Sequence, residues 1–151
     1  MADPITISRH DDCPAAEAGI VDAGLGNAND DAAPLHEVRP ISCFARLPSG
    51  EVIGGAVGRT WGSCCELQQL WVSPPHRRRG LGARLIGEFE AHARARGCAQ
   101  FYLETFSFQA PSLYRALGYV TAYEHAVYPH GIVKYVMVKA APGTTPSTAS
   151  P

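Results

Sequence analysis

Apolar and polar positions alternate along this chain in short runs that change period twice. Residues 5–8 have room for a short first strand, and residues 15–25 have helical composition that Gly24, Gly26 and Asn27 would end. Residues 27–40 are polar and bounded by proline, and read as a loop. Residues 41–47, 51–60 and 64–72 are strand-like, separated by Pro48-Ser49-Gly50 and Trp61-Gly62-Ser63, and predict an antiparallel meander. From Gly80 to Arg96 the period becomes helical. Leu81, Leu85, Ile86, Phe89 and Ala93 share one face, Arg84, Glu88 and Arg94 lie off it, and Gly97 suits the C-cap. Residues 100–105 predict a strand parallel to 64–72 if the helix is a right-handed crossover. Residues 109–117 predict a short helix with Pro111 in its first turn, stopped by Gly118. Residues 119–128 and 132–138 predict two last strands around Pro129-His130-Gly131. The order β-α-β-β-β-α-β-α-β-β is α+β, a mixed, mostly antiparallel sheet flanked by helices. Residues 1–140 predict one domain, and the Pro/Ser/Thr/Gly-rich residues 141–151 a disordered tail.

Composition narrows the class. The chain has 151 residues, 46% of them hydrophobic and 18% charged, as in an ordinary globular protein. No apolar run approaches the ~20 residues of a membrane span, and the start Met1-Ala2-Asp3-Pro4 is not that of a signal peptide. A cytoplasmic protein with no membrane partner is expected. Cys13, Cys43, Cys64, Cys65 and Cys98 form an odd set without Cys-x-x-Cys or zinc spacing, so reduced thiols and no metal are expected.

Charge adds one asymmetry. The net charge is -1, but residues 1–40 carry eight acids against Arg9 and Arg39, and residues 41–151 carry eleven bases against six acids. This balance, without aromatic residues interleaved among the bases, argues against nucleic acid as partner. It suits an anionic cofactor on one part and a cationic acceptor on the other, with Asp30, Asp31 and Glu37 on or beside a loop bordering the acceptor. Plain solvated surface charge explains it as well.

The stretch from His76 to Ile86, His-Arg-Arg-Arg-Gly-Leu-Gly-Ala-Arg-Leu-Ile, joins a strand to a helix. A Gly-x-Gly turn there leaves backbone N–H groups open at the positive end of the helix dipole, where a diphosphate fits. A dinucleotide fingerprint would need glycine where Leu85 stands, and no Gly-Lys-Ser/Thr P-loop is present. A solvated basic turn or a nuclear-localisation patch is the bland alternative.

Arg77-x-x-Gly80-x-Gly82 resembles the acyl-CoA signature of the GCN5-related N-acetyltransferase (GNAT) superfamily. So does Ser107 to Tyr119, against the pattern Asn-x-x-Ala-x-x-x-Tyr-x-x-x-Gly-Phe/Tyr. The resemblance covers about residues 41–139 and implies acyl-CoA bound where the central strands splay apart. It implies that Trp71 and Val72 bind the pantetheine arm through their backbone. Arg77, Arg78, Arg79, Gly80, Gly82 and Ala83 would hold the pyrophosphate. Ser107, in place of the customary Asn, would touch the pantetheine arm by its hydroxyl. Tyr114 falls at the position of the general acid that protonates the leaving CoA thiolate, its alternative being a ring packed on the sheet. Glu66, six residues before Val72, falls at the base position of histone-acetylating members, its alternative being a surface carboxylate. Glu104 is the alternate base, and His36, His130 and Glu37 are weaker candidates. The implied activity is acetyl transfer from acetyl-CoA to a primary amine, a small cationic molecule by preference, through direct attack in a ternary complex. Protein or peptide N-acetylation and a non-catalytic acyl-CoA-binding module are the alternatives. The family usually has two helices between its first two strands and this chain offers one, and the sequence leaves open whether it forms a homodimer.

Overall fold

The computed structural model describes residues 2–143, so residues 144–151 of the expected tail lie outside the described residues. The chain divides after His36 into two compact units. The first contains α1 (Ala15–Ala32), which starts after Pro14 and buries none of its side chains. Two expectations fail here. Residues 5–8 form no strand, Ile5 and Ile7 being almost fully exposed. The helix runs through Gly24, Gly26 and Asn27 to Ala32. Alanine-rich sequence carries a helix past glycines that each cost only about 1 kcal/mol. Asp30 and Asp31 therefore lie in its last turn and not in a loop.

Among the described residues, the second unit is a six-stranded sheet with two α-helices. Its strands are β1 (Arg39–Arg46), β2 (Val52–Trp61), β3 (Cys64–Val72), β4 (Gln100–Phe106), β5 (Val120–His125) and β6 (Lys134–Ala140), in the order β1-β2-β3-β4-β6-β5. The meander β1-β2-β3 is antiparallel, as its short turns require. The helix α2 (Leu81–Ala95) crosses over to make β4 parallel to β3. The short α3 (Pro111–Ala116) leads to the antiparallel pair β5-β6.

One sheet face packs on α2. Ile86 and Phe89 are buried against Ala56, Cys65, Leu67, Phe101, Leu103 and Met137, and each such large side chain contributes roughly 1.5–3 kcal/mol. The buried Glu90 of α2 accepts hydrogen bonds from Tyr119 Oη at 3.0 Å and Lys139 Nζ at 2.7 Å. That network ties α2 to the far side of the sheet.

The site depends on an irregularity in β3. Val57 pairs with Gln69 and Gly58 with Leu67, so Gln68 is an extra residue, a β-bulge. Cys65 and Leu67 face the core before it, and Leu70 and Val72 face α2 after it. Glycine is needed opposite the bulge, because a Cβ on Gly58 would collide with the Glu66 carbonyl oxygen and sit 2.9 Å from Phe89 Cζ. Gly58→Ala should therefore destabilise the fold by about 1–3 kcal/mol. Urea unfolding checks this, and an unchanged midpoint would remove the bulge from the account.

Candidate active site

Strands β3 and β4 are paired only from Cys64↔Gln100 to Leu67↔Leu103. Beyond the Gln68 bulge β3 still follows β2 to Val72, and β4 still follows β6 to Phe106. The two facing edges part there. Between them lies a cleft of about 690 Å³, lined by residues 67–72 of β3, residues 103–105 of β4, the turn into α2, and Phe108, Gln109 and Tyr114. Backbone groups facing it have no strand partner across the gap, which is the condition for an extended ligand to pair with them.

One end of the cleft has open backbone amides and arginines that could hold an anion. Arg78 and Gly80 both have positive φ, 61° and 75°, which turns the chain sharply before α2. The first helical bond is Arg84 N–H to Gly80 O at 3.1 Å, so the amides of Leu81, Gly82 and Ala83 precede the ladder. No acidic residue stands in that first turn. A Cβ on Gly82 would lie 3.4 Å from Leu113 Cδ2 and 4.0 Å from Leu70 and Val72, so the bare glycine keeps the turn close to the cleft wall. Arg77 Nε donates to the Val72 carbonyl at 2.7 Å, tying this turn to the end of β3.

Tyr114 of α3 lines the cleft and is 8% exposed. Its ring meets Tyr119 edge to face at 6.0 Å, and Tyr119 N–H donates to the Tyr114 carbonyl at 3.0 Å. Burial raises its phenol above the usual value of 10.0. Tyr114 thus keeps its proton at neutral pH.

The structure brings together Trp71, Val72, Arg77, Arg78, Gly80, Gly82, Ala83 and Tyr114, all on the cleft lining. Arg79, Ser107 and Glu66 stand outside it. Ser107 turns the other way: its Oγ accepts from Val133 N–H at 3.1 Å, and its own N–H donates to the Val133 carbonyl. Glu66 lies on the sheet face away from α2, opposite Tyr102 in register, and accepts from Arg59 Nε at 2.6 Å. The Tyr102 phenol is raised by burial and then by the Glu66 charge. Glu104 shares that face and does line the cleft, with Lys134 Nζ at 2.8 Å. His130 sits in the turn before β6, off the lining, and His36 belongs to the first unit. Glu37 does not border the cleft. It accepts from Trp61 Nε1 at 3.3 Å, at the other end of β3, whose length is about 26 Å at ~3.3 Å per residue.

Sequence reasoning missed Gln109 and Phe108. Gln109 Oε1 accepts from the Phe106 N–H at 2.8 Å and from Thr105 Oγ1 at 3.1 Å, closing the end of β4 and leaving its NH₂ group for the cleft. A polar amide just past a strand end was the available signal. All five cysteines are free, and burial pushes the Cys65 thiol up to about 12, far from a thiolate nucleophile.

The Acetyltransferase (GNAT) family matches residues 13–119 of this chain. Blasticidin-S acetyltransferase of Streptomyces morookaense is 39% identical over 110 residues, which cover 70% of this chain and 81% of that protein. The crystal structure of an acetyltransferase from Bacillus cereus superposes with a TM-score of 0.73 at 24% identity, over 88% of this chain and 97% of that one. Nourseothricin acetyltransferase superposes with a TM-score of 0.58 at 25% identity, over 70% of this chain and 66% of that one. The chain belongs to the GNAT family and is an acyl-CoA-dependent acetyltransferase. Among the described residues no helix is long and apolar enough to cross a membrane.

The turn geometry makes a direct demand on Gly80. A Cβ there meets no neighbour within 4 Å, but the residue must adopt a left-handed backbone, and a carboxylate would oppose a phosphate. Gly80→Asp should weaken acetyl-CoA binding by at least about 10-fold, the equivalent of ~1.4 kcal/mol, while the protein stays folded. Unchanged affinity in calorimetry would remove the turn from the cofactor site.

Proposed function

We propose that this protein transfers the acetyl group of acetyl-CoA to the primary amine of a small cationic molecule, by direct attack within a ternary complex. The observation that carries the reading is the cleft through the sheet, with a buried tyrosine on its helix side and a carboxylate on its opposite face. The names of the blasticidin-S and nourseothricin relatives support a small-molecule acceptor. A cytoplasmic location goes with it, since the donor is a cytoplasmic metabolite.

In this reading the pyrophosphate rests on the amides of residues 80–83, with Arg77, Arg78 and Arg79 supplying charge. The pantetheine arm pairs with the free edge of β3 at Trp71 and Val72, and the Gln109 amide takes the contact first assigned to Ser107. Held this way, the thioester meets the amine in one orientation, which is the main gain of a ternary complex. Glu104 removes the ammonium proton, the neutral amine attacks the thioester carbonyl carbon, and the C–S bond breaks as the tetrahedral adduct collapses, its second nitrogen proton passing to water. Tyr114 gives its proton to the departing sulfur. Burial disfavours a thiolate in the same cleft as it disfavours the phenolate, so proton affinities of both partners rise together. Glu66 is kept as a second reading, as a base acting through water, because it shares the sheet face of Glu104.

The test is acetyl-CoA consumption with small primary amines and with peptides, expected for the former; turnover of peptides alone would overturn the small-molecule reading. With the best amine, Tyr114→Phe should lower kcat by roughly 10²–10⁴-fold. Because its pKa is raised, kcat of the native enzyme should show no basic fall due to Tyr114 below pH 10. Glu104→Gln should lower kcat/KM more than Glu66→Gln. The reverse order would give proton removal to Glu66.

A further inference from the structure

Phe108 lines the cleft and is stacked on Phe106 in an arrangement that the transfer reaction alone does not explain. Their rings are parallel to within 8°, with centroids 5.3 Å apart. Tyr128 meets Phe106 edge to face at 5.3 Å, and Lys134 Nζ lies 5.7 Å from the Phe106 centroid. Phe106 is thereby fixed on several sides, and it fixes the plane of Phe108. Phe108 is nevertheless 67% exposed and lines the cleft. From the β3 wall Trp71, 51% exposed, lines the same cleft. Glu104 belongs to it too, and Lys134 ties its carboxylate to the aromatic stack.

We infer that the acceptor carries its amine on a flat, unsaturated ring, which stacks on Phe108 and Trp71 while the amine reaches Glu104. The inference rests on the acetyl-transfer reading and narrows its acceptor class. A flat ring meets an aromatic wall over a whole face, and its quadrupole complements that of phenylalanine and indole. The ammonium form is attracted by the carboxylate, and by the aromatic faces as well. A linear polyamine satisfies Glu104 but leaves both rings in water. A puckered ring of equal size buries comparable apolar area but loses the face-to-face contact. Planarity is therefore the property to vary.

Benzylamine and cyclohexanemethylamine present the same amine on a flat and a puckered ring of similar size. At saturating acetyl-CoA, kcat/KM should favour benzylamine by about 3- to 10-fold, the range of one aromatic contact. In Phe108→Leu, whose exposed site tolerates the change, the preference should shrink toward unity without a rise in KM for acetyl-CoA. Equal kcat/KM for the two amines, or a preference that survives Phe108→Leu, overturns the inference. So does a raised KM for acetyl-CoA with both amines slowed alike, which would give Phe108 to the donor. Binding is read separately from Trp71 emission in Trp61→Phe, since the chain has only two tryptophans. Saturable quenching by benzylamine and not by its saturated counterpart supports the wall, even if neither amine is acetylated, a result that would sink the transfer reading alone. Absence of saturable quenching by either amine overturns the wall.

Discussion

The loss of pairing between β3 and β4 after Leu67 and Leu103 is the feature on which the rest of the site depends. Its cause is local. The bulge at Gln68 bends β3 away, while β2 on its outer side still holds it to Val72. An interior sheet gap would ordinarily be unfavourable, because backbone groups lose partners. Here it opens a cleft of defined length, closed at one end by intact pairing and at the other by the Arg-rich turn, and the proposed function makes that cleft the binding surface.

On one face of the sheet the second unit is held by α2. α2 packs Ile86 and Phe89 into the sheet and begins at the Arg-rich turn proposed for the cofactor, so the packed helix and that turn belong to one element. Glu90 near its far end is 3% exposed but bonded to Tyr119 and Lys139, and Tyr119 packs on Tyr114. A buried carboxylate would be costly alone; paired, it anchors the corner that holds the candidate acid.

Much of this was legible from sequence, and what was not has physical reasons. The meander, α2 and the turn before it follow from periodicity and from glycines, which act within a few residues. Tyr114 was singled out by the resemblance of residues 107–119 to a family motif, and it lies on the cleft lining. The placement of Glu66 was harder to read, because alternation along β3 puts Glu66 and Val72 on one face, whereas the bulge puts them on opposite faces. No residue type at Gln68 announces a bulge; the partner glycine, Gly58, does so only once the register is known. Ser107 matched a motif position, but its hydroxyl is taken by Val133, a contact 26 residues away. At the N-terminus the apolar pattern of residues 5–8 suggested a strand, yet a strand needs a neighbour to pair with and none is present among the described residues.

The central claim is that the donor occupies the unpaired edge of β3 and the start of α2. Amide hydrogen exchange, followed residue by residue with and without acetyl-CoA, measures this directly. The account predicts slower exchange at residues 70–72 and 80–83 on binding. It predicts little change at residues 64–67, which are already paired on both edges. Binding that leaves the first two segments unprotected, or that protects a different part of the sheet, would contradict it.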